Sequence, residues 1–164
     1  DGAIQVAVDA VNSSAHSHIF LSVTKAGHSA IFSTSGNQDC HVILRGGTSG
    51  TNYEADAISR TKAALKKAGV GTGIMVDMSH ANSSKDHNRQ LVVAEDLARQ
   101  ITDGDRDIVG VMVESNLIAG RQDISTDKTS LTYGQSITDA CISWEDTETV
   151  LAQLARAVSA RRAK

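Results

Sequence analysis

Three short apolar runs recur along the chain, "HVILRGG" (41–47), "GIMVDMSH" (73–80) and "DIVGVMVESN" (107–116), each rich in Val, Ile or Met and bounded by glycine or polar residues. This is the pattern of strands buried on both faces. Between them the apolar period lengthens to that of a helix. Thr51 and Glu54 have capping-box spacing, Ile58, Leu65 and Ala68 share one face, and Gly69 supplies a stop. Ser83 and Asp86 predict a second helix start, followed by Leu91, Ala94, Ala98 and Ile101 on one side. A last helix is predicted from about Ser136 to Arg162, with Trp144, Leu151, Leu154 and Val158 as its buried stripe. Its C-terminal end is basic, as the helix dipole favours. Such alternation of strands and helices predicts an α/β architecture with parallel strands.

Two segments interrupt the alternation. "AIQVAVDAV" (3–11) fits both a period of two and a helical period, and the preceding "DG" and following "VNSS" favour a helix. "HIFLSVTKAGHSAIFSTSGN" (18–37) reads as two strands joined at "KAGH", an inserted hairpin running from about His18 to Ser35. With no internal repeat or low-complexity linker, residues 1–164 form one domain or one contiguous part of one.

Composition narrows the partners. A net charge of −3, a pI near 6.0 and no basic run before the final "RRAK" exclude nucleic acid and anionic membrane. No apolar run approaches the ~18 residues of a membrane span and no signal-peptide profile opens the chain, so a cytoplasmic protein is expected. Cys40, within an apolar strand, and Cys141, on the last helix, lack CxxC spacing and are expected to be reduced structural thiols. The chain starts at Asp1 rather than Met and contains no proline, against an average usage of ~5%, which predicts a piece of something longer.

Candidate chemistry sits at the strand ends. Arg45 follows "HVIL", His80 follows "GIMVDMS" and Glu114 follows "IVGVMV", so three consecutive βα units each present an ionisable group where α/β folds place their sites. His80 reads either as a hydrogen-bonded strand-end imidazole or as a metal ligand, and Glu114 either as a solvated carboxylate or as its companion. With Asp139 they form a mixed N/O set suited to Mn²⁺, Fe²⁺, Co²⁺ or Zn²⁺. Asp139 also has the spacing of a capping box with Ser136, and Ser83 reads as a plain helix cap. Arg45 ahead of Gly46 and Gly47 suits a phosphate or carboxylate, the alternative being a salt bridge at the rim. Lys25 and His28 mark the hairpin tip, either a solvated turn or a surface for an effector. These residues support a metal-dependent α/β enzyme acting on an anionic, phosphorylated substrate.

Taken together, "FLSVTKAGHSAIFSTSGNQDCHVILRGG", "VDMSHANSSKDHNRQ", "IVGVMVESNL" and "YGQSITDACISWEDT" closely resemble the 3-deoxy-D-arabino-heptulosonate 7-phosphate (DAHP) synthases of the microbial, aromatic-amino-acid-regulated type, in one register along the whole chain. The resemblance implies the C-terminal part of a (β/α)₈ TIM barrel, namely its last three strands with their helices and the hairpin. It implies condensation of phosphoenolpyruvate with D-erythrose 4-phosphate and release of phosphate, the first step of the shikimate pathway. By the same resemblance Arg45 binds the phosphoenolpyruvate phosphate, and His80, Glu114 and Asp139 hold a divalent metal, with no organic cofactor. Phe20 and its hairpin neighbours then line a feedback pocket for an aromatic amino acid. A homodimer or homotetramer is implied.

The departures lie in what the 164 residues lack. The family's fourth metal ligand is a cysteine that neither Cys40 nor Cys141 matches. The Lys-Pro-Arg-Thr loop for the erythrose 4-phosphate phosphate, a further phosphate-binding arginine and a strand-end lysine are also missing. A barrel of this kind needs ~250 residues. The expectation is therefore that these residues belong to a longer chain, or that an N-terminal portion is disordered, cleaved or recorded elsewhere. Alone they would be an inactive half-barrel with an exposed apolar sheet face. A substrate change to the related synthases that use a pentose phosphate is a further reading, and the "SHANSS" and "SITDACISWED" wording argues against it.

Overall fold

Val42 and Leu44, Ile74 and Val76, and Ile108 recur at alternate positions of three neighbouring strands, and helices seal that side. The structure is a computed structural model that describes residues 2–164, so Asp1 of the expected 1–164 span lies outside the described residues. In chain order the elements are α1 (Ile4–Ala15), β1 (Ile19–Val23), β2 (Ser29–Ser33), β3 (Val42–Leu44), α2 (Ala55–Lys67), β4 (Ile74–Asp77), α3 (Arg89–Asp103), β5 (Ile108–Met112), β6 (Ile118–Arg121), β7 (Gln135–Ser136) and α4 (Trp144–Arg162).

The central sheet is parallel in the order β3-β4-β5. Its core combines the strand residues above with Val8 and Val11 of α1, Ile58 and Leu65 of α2, Val93, Leu97 and Ile101 of α3, and Val150 and Ala157 of α4. Burial on both faces is not what the sheet has. Ile43, Val109 and Met112 lie on strands yet stay open to solvent, because the apolar packing of all four helices collects on one side. Val109 also falls where the β4–β5 register slips, Ile74 facing Ile108 but Met75 facing Gly110.

The expected helices form, with later starts. Glu54 is the N-cap of α2, so its bond to the Thr51 hydroxyl precedes the helix instead of boxing its first turn. The helix expected after Ser83 starts only at Arg89, since Ser84 and Lys85 have φ of 54° and 62°, outside the right-handed helical region. The Asp86 carboxylate accepts the Asn88 N–H instead. The helix expected from Ser136 begins at Trp144, where the Ser143 hydroxyl caps it by accepting the Asp146 N–H at 3.1 Å. Its buried stripe is Thr147, Val150 and Ala157, with Leu154 and Val158 packed at the margin, while Trp144 and Leu151 are about half exposed. The buried Ile142 donates its N–H to the Glu114 carbonyl just ahead of the helix, which then packs along α3.

The ambiguous first segment is helical, with Val8 and Val11 buried. The hairpin also forms, Ile19 facing Ser33 and Val23 facing Ser29, with the turn at Lys25 to His28. Cys40 lies outside a strand, two residues before β3, and Cys141 lies outside the last helix, in a bridge to Gly120. The short β6–β7 pair carries too few residues to show a period in the sequence. Among the described residues no helix is long and apolar enough to cross a membrane.

Candidate functional site

The segments that follow β3, β4 and β5 lead into one cleft of about 350 Å³, which Arg45, His80, Glu114 and Asp139 all line. His80 Nε2 lies 3.6 Å from Glu114 Oε1. Taking one ligand atom each from His80, Glu114 and Asp139, all lie within 4.8 Å of one another. His80, Glu114 and Asp139 therefore meet, and Arg45 lines the same cleft.

Each is held differently. His80 has φ +53°, a left-handed conformation uncommon outside glycine and concentrated at functional positions. Buried Asp77, the last residue of β4, anchors it: Oδ1 accepts the Ser79 N–H at 2.8 Å, and Oδ2 lies 2.8 Å from His80 Nδ1. The Ser79 hydroxyl is also 2.8 Å from Nδ1. Glu114 is fixed through its backbone. Fully buried Gln90, in the first turn of α3, accepts the Glu114 N–H at 2.9 Å and donates to the Glu114 carbonyl at 3.1 Å.

Asn82 joins the two strand ends. Buried completely, its amide donates to the Leu44 carbonyl at 3.1 Å and the Asp77 carbonyl at 2.8 Å, and accepts the Asn52 N–H at 2.8 Å. The small polar run after His80 is thus a packed connector, and the Ser83 hydroxyl donates to the His80 carbonyl instead of capping a helix. Gly46, with φ 71°, brings the loop after β3 against it. A Cβ there would lie 2.8 Å from Ala81 Cβ and 3.0 Å from the Asn82 nitrogen.

Asp139 sits in a bend between β7 and α4, exposed, with no hydrogen bond to its carboxylate among the described residues. The Ser136 hydroxyl accepts the Thr138 N–H at 3.2 Å, and no helix starts there, so the capping-box explanation does not hold. Arg45 is exposed and forms no ion pair among the described residues, which leaves the rim salt bridge without a partner. Phe20 lies apart from the cleft, stacked on Phe32 with ring centroids 6.0 Å apart. Nearby, burial pushes the Cys141 thiol above its ordinary range. The Ser136 hydrogen bond opposes that shift, and the charges of Glu114 and Asp139 reinforce it.

Sequence reasoning missed Asp77, Asn82 and Gln90, and also Lys85 and His87, which line the cleft. A signal existed for Asp77, a carboxylate three residues before the histidine in an otherwise apolar strand. None existed for Gln90, which reads as an ordinary polar position of an amphipathic helix. Chemically, an imidazole nitrogen and two carboxylates within 4.8 Å make a donor set that fits a divalent cation, with a guanidinium on the same cleft for an anionic group.

The model of the DAHP synthetase I family matches residues 2–152. The chain is 54% identical over 162 residues to the Phe-sensitive phospho-2-dehydro-3-deoxyheptonate aldolase of Escherichia coli K12, covering 99% of this chain and 46% of that protein. It is 50% identical over 165 residues to the tyrosine-inhibited enzyme of that name from Schizosaccharomyces pombe, covering 99% of this chain and 44% of the relative. Among solved structures, phospho-2-dehydro-3-deoxyheptonate aldolase from Francisella tularensis SCHU S4 superposes with a TM-score of 0.90 at 53% identity, over 98% of this chain and 46% of that one. The chain thus spans about half the length of the curated relatives it matches.

Proposed function

The chain belongs to the DAHP synthetase I family, and from that membership we propose that it is the C-terminal part of an enzyme that joins phosphoenolpyruvate to D-erythrose 4-phosphate, giving 3-deoxy-D-arabino-heptulosonate 7-phosphate and phosphate at the start of the shikimate pathway. The carrying observation is the convergence of His80, Glu114 and Asp139 on one cleft with Arg45 beside them. In this reading β3, β4 and β5 are the last three strands of a (β/α)₈ barrel, residues 1–164 are its C-terminal portion, and the enzyme is a cytoplasmic homodimer or homotetramer. The hairpin of residues 18–35, with Phe20, takes part in feedback by an aromatic amino acid, as the names of the Phe-sensitive and tyrosine-inhibited relatives suggest.

His80, Glu114 and Asp139 would hold a divalent ion such as Mn²⁺, Fe²⁺, Co²⁺ or Zn²⁺, and no organic cofactor is needed. Such an ion supplies Lewis acidity toward the aldehyde oxygen of the sugar phosphate. Arg45 meets the phosphate of phosphoenolpyruvate with a planar pair of donors, neutralising the leaving group and fixing the enol carbon in position for attack. The left-handed turn at Gly46 keeps the backbone close against the neighbouring loop, so that the guanidinium enters the cleft from a rigid base.

The test is phosphate release by the full-length protein given both substrates, after chelation and again after Mn²⁺ is restored. Activity that vanishes and returns supports the reading, and turnover indifferent to chelation removes the metal. Arg45→Ala should raise the KM for phosphoenolpyruvate about 10–100-fold. Better turnover of arabinose 5-phosphate than of erythrose 4-phosphate would shift the substrate assignment. The 164 residues alone are expected to be inactive.

A further inference from the structure

Asp77 was assigned no role in the sequence, yet it is buried and spends both carboxylate oxygens on the segment that carries His80. Oδ1 is committed to the backbone N–H of Ser79, which can only donate. Oδ2 faces His80 Nδ1 at 2.8 Å, and a carboxylate only accepts, so the ring proton belongs on Nδ1. The lone pair is then on Nε2, the nitrogen 3.6 Å from Glu114 Oε1. His80 has φ +53°, and its ring lies against Asp77. The Ser79 hydroxyl beside Nδ1 can donate or accept, so it does not set the tautomer.

We propose that Asp77 is a positioning residue that fixes the His80 imidazole in the Nδ1–H tautomer and so presents Nε2 as the metal-binding atom. The proposal rests on the metal reading of the cleft for its consequence, but the tautomer itself can be observed without metal. It also makes an asymmetric forecast for an isosteric change. In Asp77→Asn the amide oxygen must stay with the Ser79 N–H, which turns the NH₂ toward Nδ1. Nδ1 then becomes an acceptor, the proton moves to Nε2, and the ligand lone pair is lost with little change of shape.

The test uses the full-length protein with ¹⁵N-labelled histidine, metal-free, read by long-range ¹H–¹⁵N correlation, with the His80 signals assigned by their loss in His80→Gln. The expected result, read at about pH 9 so that neutral rings are compared, is an unprotonated Nε2 in wild type and in Ser79→Ala, and a protonated Nε2 in Asp77→Asn. Co²⁺ titration should then show affinity about 10–100-fold weaker for Asp77→Asn than for wild type. A proton on Nε2 in the wild type, or equal Co²⁺ affinity in the two proteins, overturns the proposal. If Asp77→Asn does not fold, the wild-type and Ser79→Ala spectra still decide where the proton sits. A folded wild type that binds no Co²⁺ overturns the metal reading, while the spectra judge the role of Asp77 separately.

Discussion

At the strand ends, His80 and Glu114 are each backed by a buried side chain, Asp77 behind the imidazole and Gln90 along the Glu114 backbone, and Asn82 ties the β3 and β4 ends together. The β1–β2 hairpin is built the other way. Its register rests on backbone pairing and one Phe20–Phe32 stack, while Ile19, Leu21, Val23 and Ile31 are between 61% and 79% exposed. The difference separates two kinds of precision. A polar group that must meet others within a few ångströms needs a dry partner that leaves it one choice, because an unpaired alternative is costly. A strand pair that has only to present a surface needs no such backing.

The contrast can be broken in order of effect. His80→Ala in the full-length protein should lower metal-dependent turnover by about 10³-fold or more, equivalent to ~4 kcal/mol of transition-state stabilisation, with the unfolding transition little moved. Undiminished activity would take His80 out of the site. Asn82→Ala should do the reverse, costing ~3 kcal/mol of stability by urea titration, because two carbonyls and one N–H lose their partner in a buried position. An unchanged midpoint would mean that the strand ends do not depend on that amide. Phe20→Ala should cost about 1 kcal/mol or less, as befits one exposed aromatic pair, and leave turnover intact while weakening inhibition by an aromatic amino acid. A large loss of stability there would show that the hairpin is as tightly built as the cleft.

The same contrast explains what could be read from sequence. The parallel strands, the hairpin and the convergence of Arg45, His80 and Glu114 followed from short apolar runs and the residue after each, signals that local pattern carries well. Helix starts were misplaced where the backbone leaves the helical region without a glycine to announce it, at Ser84 and Lys85. The stripe on α4 was misplaced because packing against α3, a tertiary matter, decides which of its faces is buried. Burial of both sheet faces was expected from continuous apolar runs, which cannot say on which side the helices collect. Asp77 left a local sign, a carboxylate in an apolar strand, but neither it nor Gln90 belongs to a periodic pattern. Their partners are the N–H of Ser79, the ring of His80 and the backbone of Glu114 across 24 positions, none of which leaves a periodic trace.

Gly46 has a consequence for anyone redesigning the cleft. Since even a methyl at that position would press on Ala81 and the Asn82 nitrogen, the walls beside Arg45 and His80 behave as one welded part. Libraries that vary residue 46 or residues 81–83 should yield mostly misfolded clones. Diversity placed at His87 and Ala140, which border the same cleft, leaves that contact untouched.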